Sequence, residues 1–136
     1  MPATLLLATT LLLFRQSGPP SHIPLSNTFI TASETVIDDA DRVEINAPDD
    51  RFNAQMRDLR TAKDNLDRMA YEDLEHQVVS ADSDLIFALS ACHVQSKDGA
   101  DTHKCEAQVK SARARAMEVL GKHKAGSSWV DGPPAD

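Results

Sequence analysis

The sequence predicts a mainly α-helical protein organised around an antiparallel helical hairpin. Apolar and small residues recur every three or four positions on both sides of a turn at Gly99, which is the spacing of one face of a helix. The only two cysteines, Cys92 and Cys105, flank that turn. At 136 residues the chain has the length of one domain at most.

One register of the two helices brings the predicted hairpin core together. When Cys92 faces Cys105, the large residues of the first helix largely meet small residues of the second, which favours close packing. The first helix is rich in carboxylates and the second in lysine and arginine, so charge also favours their pairing, weakly for each exposed pair. The predicted core residues are Val78, Ala81, Leu85, Leu89, Val109, Ala112, Ala116 and Val119.

Residues 1–16 form an apolar N-terminal segment that precedes this domain. Residues 3–14 have the length of the apolar part of a signal peptide and are too short to span a bilayer. No lysine or arginine precedes them, and no small-residue cleavage site follows. The segment is therefore consistent with an export signal, with a short interfacial anchor, or with an apolar helix that covers the bundle.

Residues 17–48 are predicted to be a proline-rich and then acidic linker. Within it, residues 27–31 and 42–45 have the composition of β-strands. They would form at most a weak β-hairpin, because an isolated two-stranded unit is marginal in water. The aspartates at positions 38, 39 and 41 do not have the spacing of a calcium-binding loop, so we interpret them as a solvated acidic segment.

Residues 49–124 form the predicted helical hairpin domain, and residues 125–136 a disordered tail. Pro48 and two aspartates mark the start of a helical pattern, and Lys63 interrupts its apolar stripe. No glycine or proline follows before residue 95, so one continuous helix over 49–95 is expected. The alternative, a break near residues 80–83, would make a three-helix bundle.

Some large apolar residues point away from the predicted hairpin seam. Ile86 and Phe87 need cover from the N-terminal half or from another chain, and Trp129 is an apolar residue in the polar tail. We interpret Ile86, Phe87 and Trp129 as a partner surface, and self-association as one use of it.

The two cysteines allow more than one chemistry. A disulfide between Cys92 and Cys105 suits facing positions on an antiparallel pair and requires an oxidising compartment. Cys92, His103 and Cys105 also have the residue types of a tetrahedral zinc site, although their spacing matches no known finger. Free thiols in a cytosolic protein are the remaining alternative.

The rest of the sequence argues against an enzyme. It contains no nucleophile elbow and no glycine-rich phosphate loop, and a net charge of −7 disfavours nucleic acid as a partner. We expect a small non-enzymatic structural or protein-interaction protein with no cofactor and no membrane span. It would be periplasmic or secreted and would bind an unknown protein partner through its helix faces. The alternatives are a small metal-binding protein and a cytoplasmic helical regulatory subunit with reduced cysteines.

Overall fold

The computed structural model describes residues 25–122, and these residues form four α-helices. The helices are α1 (Asn27–Asp41), α2 (Asp49–Arg68), α3 (Asp73–Lys97) and α4 (His103–Lys122). The predicted mainly α fold is confirmed. The apolar segment at residues 1–16 and the tail at 125–136, with Trp129, lie outside the described residues.

Helix α1 replaces the linker and weak β-hairpin predicted for this region, so that prediction is wrong for residues 27–41. Residues 42–48 form a loop without a strand. The hydroxyl of Ser26 accepts a hydrogen bond from the amide of Phe29 at 3.1 Å and caps the helix. Phe29, Val36 and Ile37 are then buried on one side of it. Burial of these side chains against the other helices outweighs their local preference for strands.

The chain turns between α2 and α3, so the prediction of one continuous helix over residues 49–95 is wrong. The turn lies at residues 69–72 and not at 80–83. Helix α2 ends as the amide of Met69 bonds back to the carbonyl of Leu66. Helix α3 begins where the carboxylate of Glu75 accepts hydrogen bonds from the amides of Tyr71 and Glu72, at 2.7 and 2.9 Å.

Helices α3 and α4 form the predicted antiparallel hairpin. Gly99 ends α3 with a φ of 77°, a left-handed conformation that glycine adopts without steric cost. The carboxylate of Asp101 accepts a hydrogen bond from the amide of His103 at 3.0 Å and starts α4. The hairpin core residues Val78, Ala81, Leu85, Leu89 and Ala116 are buried, and Val109, Ala112 and Val119 are half-buried.

The core is shared between two helix pairs, which we call the N-terminal pair (α1 and α2) and the C-terminal pair (α3 and α4). Helix α1 contacts all three other helices and therefore joins the pairs. Apolar residues of both pairs build one cluster, which includes Phe29, Ile37, Met56, Leu59, Leu66, Leu85, Leu89 and Leu120. Between residues 25 and 122, none of the helices combines the length and the apolar character that crossing a bilayer requires.

Candidate functional site

The solvent-facing side of α3 exposes two large apolar residues. The Phe87 side chain is 75% exposed and Val94 is 54% exposed. Seven residues separate them, which is two helical turns, so they lie on the same side of the helix. The opposite side of α3 carries Val78, Leu85 and Leu89, which are buried in the core. Helix α3 therefore exposes two apolar side chains on the side opposite its buried residues.

Small uncharged residues surround these two side chains. We call the whole set the α3 outer face. Its members carry no charge, and the exposed carboxylate of Asp84, three residues before Phe87, lies at its edge. Ser80 is exposed and the other small members are half-buried. Because serine and alanine side chains are short, they add little bulk beside the phenyl ring. The α3 outer face comprises Ser80, Ser83, Phe87, Ser90, Ala91 and Val94.

The structure separates the three residues that the sequence suggested as a partner surface. Ile86 is half-buried and packs against the core, because it points towards the other helices. Phe87 is exposed and belongs to the α3 outer face. Trp129 lies outside the described residues. Val94 was missed, although its spacing of seven from Phe87 was a signal in the sequence.

The cysteines fix the end of α3 to the start of α4. The Sγ atoms of Cys92 and Cys105 are 2.00 Å apart and their Cα atoms 5.3 Å apart, so the predicted pair lies at disulfide distance. With the sulfurs joined, they offer no thiolates to zinc, and the His103 side chain points away with 91% of its surface exposed. No group of three or more histidine, cysteine or carboxylate side chains suited to a metal ion occurs within residues 25–122.

A buried carboxyl group joins α3 to α1. Asp82 has no exposed surface, and its Oδ2 accepts a hydrogen bond of 2.9 Å from the hydroxyl of Ser33. Its Oδ1 has no hydrogen-bond partner among the described residues. Burial raises the pKa of Asp82 from 3.8 to about 7, although the Ser33 hydrogen bond and the charge of Lys63 oppose the rise. Lys63, which interrupts the apolar stripe of α2 in the sequence, supplies that charge.

A second polar contact, around the buried His93, joins α3 to the loop before α2 and to the first turn of α2. The His93 ring stacks on Phe52 with the ring centroids 3.7 Å apart. Its Nδ1 lies 2.8 Å from the carbonyl oxygen of Ile45, and its Nε2 lies 2.9 Å from Oδ1 of Asp49. Hydrogen bonds from His93 and from Lys97 hold the pKa of Asp49 below its usual range. Nothing in the sequence placed His93 in this contact, since its partners are more than forty residues away.

An ion pair connects the end of α1 to α4. The guanidinium of Arg113 donates two hydrogen bonds to the carboxylate of Asp41, at 2.7 and 2.9 Å. Both side chains are about 40% exposed. The predicted acidic segment thus supplies a partner for the basic helix.

Comparison of the chain with protein-family models, with curated proteins and with solved structures finds no match. The structure defines the class of protein: a small α-helical protein of two joined helix pairs, with two cysteines at disulfide distance at the hairpin tip and two exposed apolar residues on the α3 outer face.

Proposed function

We propose that this chain is a non-enzymatic protein-interaction protein, periplasmic or secreted, that binds a helix of another protein on the α3 outer face. The observation that carries the proposal is the exposure of Phe87 and Val94 on one side of a helix whose other side is buried. Exposed apolar surface of this kind is typical of binding sites.

The composition of the α3 outer face favours a helical partner. Serine and alanine side chains are short, so the backbone of a second helix can approach closely, and Phe87 can insert between its residues. Full burial of a phenylalanine side chain contributes about 1.5–3 kcal/mol. Its loss should therefore weaken binding roughly 10- to 100-fold.

The cysteine pair supports the proposed location. A structural disulfide persists in oxidising compartments and is rare in the cytosol. The pair at disulfide distance, Cys92 and Cys105, is compatible with export, as is the apolar segment at residues 1–16.

Site-directed photo-crosslinking in the native cell tests the interaction. A photoreactive residue at position 87 of the full chain should give a crosslinked product, and the same residue at position 71 should not. Tyr71 is a matched control because it is also aromatic and 81% exposed, but lies at the turn before α3. A product with the mass of two chains would identify the partner as a second copy. Equal products at both positions, or none at 87, would refute the proposal.

An intact-mass measurement of the natively expressed protein tests the location separately. It is made without reduction, with and without thiol alkylation. A processed chain, two hydrogens light and resistant to alkylation, supports export and the disulfide. A full-length chain that takes two alkyl groups supports the cytoplasmic regulatory subunit instead, and retained zinc would support a metal site at Cys92, His103 and Cys105.

A further inference from the structure

We propose that His93 is a proton-dependent clamp, which holds the loop between α1 and α2 firmly onto α3 in mildly acidic solution and less firmly when the pH rises. The clamp consists of His93 with its two acceptors, the carbonyl of Ile45 and the carboxylate of Asp49. The structure thereby assigns a pH-sensitive function to the contact between the N-terminal and C-terminal pairs.

The hydrogen-bond geometry requires two N–H donors on one ring. A backbone carbonyl and a carboxylate can only accept, so each ring nitrogen of His93 must carry a proton to make both contacts. Only the imidazolium form does so. When the ring becomes neutral, one nitrogen presents a lone pair to an oxygen less than 3 Å away, and that contact is lost.

The surroundings of the ring fix its orientation. His93 is 5% exposed, and its ring lies within 5° of parallel to that of Phe52, where a cation gains from the aromatic face. Asp49 supplies a carboxylate at the start of α2, and it also receives the ammonium of Lys97 on Oδ2 at 3.0 Å. A neutral His93 would therefore lose an ionic partner as well as a hydrogen bond.

Other charged groups near the loop are either paired with neighbouring side chains or lie on α4, across a groove from the loop. The carboxylate of Glu44 is held by Arg51 at 2.9 Å and by Gln55 at 3.1 Å. A pH-independent bond of 2.6 Å joins Ser96 to Asn46. The groups of α4 that face the loop across a groove are His103, Glu106 and Lys110.

Release of the clamp would alter that groove, because the loop forms one of its walls. Ile45 and Asn46 line it on one side, and Ala107 and Val109 of α4 line it on the other. The protonation state of His93 therefore controls how firmly this wall is held, independently of the α3 outer face.

Hydrogen exchange of the loop amides tests the clamp. The amides of Val43, Glu44 and Ala47 are hydrogen-bonded and report on the loop. After correction for intrinsic exchange, and relative to core amides of α4, their protection should fall roughly tenfold or more between pH 6 and pH 8. In His93→Gln this dependence should disappear, whereas His103→Gln, which changes an exposed histidine, should retain it.

A second variant covers the case in which His93→Gln fails to fold. Asp49→Asn keeps an acceptor oxygen near the ring but removes the charge. Between pH 6 and pH 8, the logarithm of its loop protection should fall by less than half as much as in the wild type. Equal loop protection at pH 6 and pH 8 in the wild type would overturn the clamp. So would the same pH dependence in the wild type and in either clamp variant.

Discussion

Replacement of Asp82 by asparagine should make the protein more stable at alkaline pH. The carboxyl group has no exposed surface, and one of its oxygens has no partner among the described residues. Above its pKa of about 7 it must hold a negative charge inside the protein. An amide of the same shape carries no charge and can keep the hydrogen bond to Ser33.

The size and the sign of the effect follow from the pKa. The folded state raises the pKa of Asp82 from 3.8 to about 7, so it binds this proton more tightly than the unfolded chain does. The stability that the proton contributes is complete below pH 3.8 and is lost as the pH rises through 7. At 1.36 kcal/mol for each tenfold difference in proton affinity, the wild type should lose at most about 4 kcal/mol through this group. Side-chain rearrangement around the charge would lower that figure.

Urea unfolding at pH 5, 6, 7 and 8, followed by circular dichroism, measures this difference. The free energy of unfolding of the wild type should fall more steeply with pH than that of Asp82→Asn. The control is Asp84→Asn, which removes an exposed carboxylate two residues away on the same helix and should follow the wild type. If Asp82→Asn showed the wild-type slope, or were the less stable protein at pH 8, the carboxyl would not be a buried charge and the reasoning would be refuted.

Three further perturbations test separate parts of the fold. Changing Cys92 and Cys105 to serine should lower the free energy of unfolding by about 3 kcal/mol, from the loop-closure entropy of a short loop. The same loss should appear on reduction of the wild type and not in the variant. Gly99→Ala should cost about 1 kcal/mol because φ is 77° there, whereas Gly121→Ala, at a helical glycine with free space around it, should not destabilise. Arg113→Ala should cost about 0.2–1 kcal/mol, less at high salt, and a salt-independent loss would contradict the ion pair.

The hairpin could be predicted from the sequence because its determinants are local. Gly99 and Asp101 lie within the turn they shape. The apolar faces of the two predicted helices match in one register, and that register places the two cysteines opposite each other. The start of α3 also had a local signal, a pair of glutamates three residues apart at positions 72 and 75, together with a phase shift in the apolar pattern near residue 70. The absence of glycine and proline between residues 49 and 95 instead favoured one continuous helix.

Helix α1 and the buried polar contacts could not be predicted in this way, because their causes are distant in the chain. The segment around Phe29 resembles a strand locally, and only burial against the other helices makes it helical. Ser33 and Asp82 are 49 residues apart. Each is an ordinary surface residue in the sequence until α1 packs against α3.

The two proton-dependent contacts should act independently, and this gives a test of how the pairs are joined. Asp82 and His93 are eleven residues apart on α3, about 16 Å along its axis, and they share no partner. Effects at such separations usually add within about 0.5 kcal/mol. Each variant removes part of the change in unfolding free energy with pH. The part removed in the double variant Asp82→Asn/His93→Gln should therefore equal the sum of the parts removed in the two single variants. If each single variant lost pH dependence and the double variant lost no more than Asp82→Asn alone, the two contacts would be coupled and not independent.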